Sequence, residues 1–101
     1  MEISEMDQKQ LDSLASVMKA IAHPDRLRIL CLLKKGRRNV TELEKLLDDS
    51  QAFVSQQLRL LRLNGLVNSE RENGFVYYSI EPDKKKQIEK IMSGLCDLCK
   101  T

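Results

Sequence analysis

Residues 39–80 read NVTELEKLLDDSQAFVSQQLRLLRLNGLVNSERENGFVYYSI, and the spacing of their apolar residues changes once. Leu43, Leu46 and Leu47 make the apolar side of one short helix, and a second runs through Phe53, Val54, Leu58, Leu61 and Leu63, with Val54, Leu58 and Leu61 recurring at four and three. Asp48-Asp49-Ser50 divides them into two short helices. The Ser50 side chain suits the cap of the second helix, and Asn64-Gly65 ends it. Either Asn39 or Thr41 can cap the first, since both side chains accept a bond from free helix N–H groups. Two short helices joined by so tight a turn predict a helix-turn-helix, with its reading helix over residues 50–64. From residue 66 the pattern is β-rich. Runs 66–71 and 75–80 flank Glu72-Asn73-Gly74, and Asn-Gly accepts the two positive φ angles of a tight hairpin. The hairpin is the expected wing.

Outward toward the N-terminus, Leu11, Leu14, Ala15, Val17, Met18 and Ile21 form one face of a helix over residues 9–22. His23-Pro24-Asp25 interrupts it, because proline cannot continue a helix but suits the first position of the next. A second helix then carries Leu27, Ile29, Leu30, Cys31, Leu32 and Leu33. It ends at Lys34-Lys35-Gly36, where cations favour the helix C-terminus and glycine closes it. Beyond the hairpin, Glu81-Pro82-Asp83 starts a last helix with the stripe Ile88, Ile91, Met92, Leu95 and Leu98. The expected class is mainly α with a β-hairpin wing: four helices, two strands, one helix. The stripes of the first and last helices have no evident partners inside so small a chain. A homodimer through those two helices is expected to bury them.

At 101 residues the chain fits one domain, residues 1–101. Hydrophobic residues make up 42% and charged residues 32%, a globular balance. No apolar run is long enough to span a membrane and the polar start MEISEMDQKQ has no signal core, so the expected location is the cytoplasm. The net charge of +2 says little about nucleic acid, because distribution matters more than total. Cations gather at Lys34, Lys35, Arg37 and Arg38 and at Arg59, Arg62 and Arg71; acids gather at Glu42, Glu44, Asp48 and Asp49. Either run alone reads equally well as a solvated face. No glycine-rich phosphate loop, histidine beside a nucleophile or carboxylate pair points to an enzyme, and no cofactor is expected.

Three segments, KAIAHPDRLRILCLL (19–33), FVSQQLRLLRLNGLVNSERENG (53–74) and FVYYSI (75–80), agree in order and spacing with one family. The chain resembles the ArsR family of bacterial winged-helix repressors over nearly its whole length. The resemblance implies a dimer that binds double-stranded operator DNA and releases it when an inducer alters the dimer. It places Ser50, Gln51, Ser55, Gln56 and Gln57 at the DNA-facing positions and Arg71 and Asn73 in the wing. The residue chemistry agrees. Glutamine pairs with adenine and arginine with guanine in the major groove, while serine reaches bases or phosphates. On that ground Ser50, Gln51, Ser55, Gln56, Gln57 and Arg59 are read as a polar face turned away from Val54, Leu58 and Leu61. Arg59 and Arg62 can equally pair with nearby acids. Two such helices in a two-fold dimer stand about 34 Å apart, selecting an imperfect palindrome.

The family's familiar metal sites are missing from the pattern. No thiol stands at the start of the third helix, Asn39-Val40-Thr41-Glu42-Leu43, and the last helix has no histidine. The lone His23, before a proline, reads as a capping or packing residue, and no metal site is assigned. Three cysteines remain: Cys31, Cys96 and Cys99. Structural disulfides do not suit an odd number of cysteines in a cytosolic chain. Cys31 in its leucine run reads ordinarily as a small core residue, and the other two as inert helix-end residues. A cysteine in ILCLL with another near the C-terminus also resembles the family branch that senses persulfide, sulfide or oxidants by bridging two thiols. Counted from Tyr78, that branch's second cysteine falls at Asp97, between Cys96 and Cys99, and Cys96 is nearer. Three thiols also suit arsenite or another soft ion. Outside DNA binding altogether, the alternative is a protein-interaction module.

Overall fold

A computed structural model of the chain describes the backbone of residues 2–99 and the side chains of residues 2–95. A 3-10 turn (Ile3–Glu5) precedes α1 (Gln8–Ile21) and α2 (Pro24–Lys35). A two-residue strand β1 (Arg38–Asn39) leads into α3 (Val40–Leu47) and α4 (Gln51–Leu63). The hairpin β2 (Val67–Glu72) and β3 (Phe75–Ile80) follows, and α5 (Pro82–Cys99) closes the chain.

Local chemistry sets these boundaries. Asp7 caps α1 through a reciprocal pair with Gln10: the Gln10 N–H donates to Asp7 Oδ1 at 2.8 Å, and the Asp7 N–H to Gln10 Oε1 at 3.0 Å. The helix therefore starts and ends one residue earlier than periodicity predicts. Pro24 opens α2 at its first turn, with His23 Nδ1 accepting from the Asp25 N–H at 3.3 Å. Of the two candidate caps for α3, Asn39 serves. Its Oδ1 accepts from the Glu42 N–H at 2.8 Å, and Glu42 Oε1 accepts in return from the Asn39 N–H at 3.1 Å. Ser50 Oγ caps α4, accepting from the Phe53 N–H at 3.2 Å. Only Asp48, Asp49 and Ser50 separate α3 from α4, and Asp48 takes the left-handed conformation (φ 57°) that turns the chain there.

The hairpin closes through Asn73 and Gly74, both with positive φ (52° and 83°), leaving Glu72 opposite Phe75. Two left-handed residues in a two-residue loop match the right-handed twist of the strands. The sheet has three strands, not the two expected. β1 pairs antiparallel with the outer side of β3, Arg38 opposite Tyr78 and Asn39 opposite Tyr77, in the order β1-β3-β2.

Every helix and the sheet contribute to one buried cluster. Ile29 and Leu30 from α2, Leu43 from α3, Val54, Leu58 and Leu61 from α4, Leu66 before the hairpin and Ile88 from α5 are all fully inaccessible. The stripe on α1 is only partly used: Val17, Ala20 and Ile21 are buried, while Met18 is 51% exposed. On α5, Ile88 and Met92 are buried and Leu95 is 40% exposed. Apolar side chains on both helices are thus left over after the core is built.

Candidate nucleic-acid interface

The face of α4 opposite Val54, Leu58 and Leu61 is made of exposed Ala52, Ser55, Gln56 and Arg59, and Gln51 is exposed as the first residue of the helix. Gln51, Ser55 and Arg59 stand four residues apart, one above the other, with Gln56 on the adjoining row. Ser50 is exposed at the helix start; its oxygen is spent as the cap, and its O–H remains a donor. Among the described residues no ion pair includes Arg59 or Arg62, so the expected alternative of acid partners is not realised there.

Gln57 corrects the sequence reading. It is only 6% exposed, and its Oε1 is buried with no hydrogen-bond partner among the described residues. The cause is geometric: position 57 lies three residues after Val54 and four before Leu61, on the inward stripe. A buried amide oxygen without a donor costs about 1–3 kcal/mol. Gln57→Leu is therefore expected to raise stability by about 1 kcal/mol in urea denaturation and to leave DNA affinity unchanged. A stability loss would show that the amide has a partner after all.

In the hairpin, Arg71 is exposed on β2 opposite Val76, and Asn73 is exposed at the turn. Sequence reasoning missed a neighbour of this edge. Arg37, between α2 and β1, places its guanidinium carbon 4.2 Å from the centroid of the Tyr77 ring and forms an ion pair with Glu72. The hydrogen bond and charge of Arg37 hold the Glu72 carboxyl below its ordinary range, and Glu72 in turn pushes Arg37 up. A lowered carboxyl is ionised at neutral pH, and this contact is lost only as pH falls through that depressed value. Its neighbour Arg38 lies 3.8 Å from Glu42 on α3. The basic run 34–38 thus ends with two arginines facing acids. The visible signal for the first was a glutamate immediately before Asn-Gly.

Cys31 is exposed on α2, off the stripe of Leu30 and Leu33, which overturns its reading as a core residue. The backbone of Cys96 and Cys99 belongs to α5, but their side chains lie outside the described residues. His23 caps α2, as its place before Pro24 suggested. No helix among the described residues is long and apolar enough to cross a membrane.

This geometry has close counterparts. The family model described as "Bacterial regulatory protein, arsR family" matches residues 23–69, from the α2 cap into the first wing strand. The Biofilm growth-associated repressor of Agrobacterium fabrum is 38% identical over 90 residues, 88% of this chain and 77% of that protein. The transcriptional activator HlyU of Vibrio cholerae is 34% identical over 95 residues, 94% of this chain and 87% of that one. Among solved structures, the homodimeric winged helix-turn-helix DNA-binding domain of Mb0332 from Mycobacterium bovis, a possible ArsR-family regulator, is 30% identical. It superposes with a TM-score of 0.77 over 96% of this chain and 90% of that one.

Proposed function

The chain belongs to the arsR family of bacterial regulatory proteins, DNA-binding transcriptional regulators with a winged helix-turn-helix, and from that premise we propose that it is an operator-binding repressor whose release is governed by Cys31. The observation that carries the DNA reading is the outward face of α4. Gln51, Ser55, Gln56 and Arg59 project from the helix after the tight turn, with no partner among the ion pairs and hydrogen bonds of the described residues. Gln51, Gln56 and Arg59 are the base readers, Ser50 and Ser55 reach phosphate or base, and Arg71 and Asn73 bring the wing to the backbone or minor groove. Alanine replacement of the three base readers tests this face against operator fragments. Relatives of both signs exist, a repressor and an activator, and repression is chosen on the more similar one.

The working unit is a homodimer through α1 and α5. The exposed Met18 and Leu95 supply apolar surface for it, and the Mycobacterium bovis relative is described as homodimeric.

For release, the supporting observation is the exposure of Cys31, which opens its thiol to reagents that a core cysteine never meets. Cys31 and Cys96, with Cys99 as the other candidate, give up two protons and two electrons to a hydroperoxide, which leaves as water and an alcohol. The product is a bridge from α2 to α5. Two equivalents of a persulfide donor instead each pass on one sulfur and leave as thiols, and expulsion of one hydrogen sulfide closes a bridge that keeps one extra sulfur. Such a tie joins the helix before the reading head to the dimerisation helix.

Intact mass and operator affinity measured after peroxide, a persulfide donor or arsenite test the switch. The expected result is a mass lower by two hydrogens, or higher by sulfur, together with at least about tenfold weaker binding. Cys31→Ser is expected not to respond. Wild-type response in Cys31→Ser overturns the bridge, and mass gained only with arsenite, bound by all three cysteines, replaces it with a metalloid sensor.

A further inference from the structure

The pairing of Arg37 with Glu72 sits where it matters most for a wing. Glu72 is the last residue of β2, and only Asn73 and Gly74 lie beyond it before the chain turns back. Both side chains are close to half exposed, 44% and 47%. An ion pair so open to solvent adds little to the fold. The sheet does not depend on it, because β1 is already held to β3 at Arg38–Tyr78 and Asn39–Tyr77. What the pair does is neutralise a cation at the end of the molecule that approaches DNA.

The chemistry of the contact is that of a phosphate site. A guanidinium fork receives carboxylate and phosphate oxygens in the same way, and a ring beneath it fixes its plane. Tyr77 supplies that ring, 4.2 Å from the guanidinium carbon. We propose that Glu72 is a built-in phosphate mimic. It occupies Arg37 in the free protein, and a DNA phosphate displaces it, while Arg37 stays stacked on Tyr77. The proposal rests on the reading of the hairpin as a DNA-contacting wing. Its effect is independent of sequence: every duplex must compete with an internal carboxylate, so Glu72 holds down the affinity for DNA at large. The hairpin's own cation, Arg71, has no acid partner among the described residues and is not subject to this competition.

The experiment measures binding to operator and random-sequence duplexes across a salt series. It compares the wild type with Glu72→Gln, Arg37→Gln, the double variant and Arg71→Ala. Glu72→Gln is expected to tighten both duplexes by about threefold to fivefold at about 0.1 M salt, the range an exposed ion pair commands. Arg37→Gln is expected to flatten the slope of log K against log salt by about 0.9, one phosphate contact. In the Arg37→Gln background the tightening by Glu72→Gln is expected to fall by half or more. Three results overturn the proposal: Glu72→Gln neutral or weaker, an unchanged slope in Arg37→Gln, or equal tightening with and without Arg37, which is simple repulsion. Arg71→Ala separates the two levels. If it binds as wild type in affinity and slope, the wing reading has failed; if it weakens binding while Glu72→Gln is neutral, the exchange alone has failed.

Discussion

Alanine at Gln51, Gln56 and Arg59 together is expected to weaken operator binding more than about a hundredfold, to the level of random DNA, since each paired base contact is worth about 1–3 kcal/mol. All three side chains are exposed, Gln56 and Arg59 on the side of α4 away from its buried residues and Gln51 at its first position. Alanine is the best helix former, so the melting temperature is expected to stay or rise slightly. The two readings together make the prediction specific: affinity must fall while stability does not. Unchanged operator affinity would remove α4 as the reading helix. Gln57 is excluded from the set because it faces the core, where truncation to alanine would lower stability and blur the result.

Leu58→Ala is the opposite case. Leu58 is fully inaccessible at the middle of the inward face, between Val54 and Leu61, which are equally buried. Removing it leaves a cavity and is expected to cost about 2–5 kcal/mol. Small domains hold only about 5–15 kcal/mol in total, so the melting temperature is expected to drop by about 10 °C or more. Leu63, five residues on and 72% exposed, is the matched control, and Leu63→Ala is expected to change stability by less than about 0.5 kcal/mol. Equal losses at the two positions would mean that α4 does not pack as described.

Where one residue type has only one use, the sequence was legible. Asn73-Gly74 announced the hairpin because few residues accept two successive positive φ angles, and the structure has both. Pro24 marked the start of α2 for a similar reason, and the three-residue gap at Asp48–Ser50 marked the turn. Competing uses made other positions harder. Thr41 and Asn39 are equally able caps in isolation, and it is the Glu42 side chain returning to Asn39 that decides between them. Gln57 was read by its polarity, although its spacing from Val54 and Leu61 put it inside. Of the two readings of Cys31, its leucine neighbours favoured the core, although the stripe of Leu30 and Leu33 turned it out. In both, the helical period carried the answer. β1 left no pattern at all: two residues show no alternation, and Arg38 and Asn39 are not strand formers. The contact of Arg37 with Glu72 and Tyr77 depends on that strand and so was out of reach.

The division of α4 into two faces has a consequence for how such regulators diversify. Val54, Leu58 and Leu61 anchor the helix, and none of them is available to a ligand. Ser55, Gln56 and Arg59, the proposed DNA-facing residues, are exposed and make no ion pair or side-chain hydrogen bond among the described residues. On the proposed reading, drift on the outer face is expected to change which promoter is recognised without loss of stability, so that a duplicated gene acquires a new target without passing through an unstable intermediate. Gln57 is the one buried polar side chain of the helix and stands outside that freedom: its replacement is expected to alter robustness and to leave the regulon as it is.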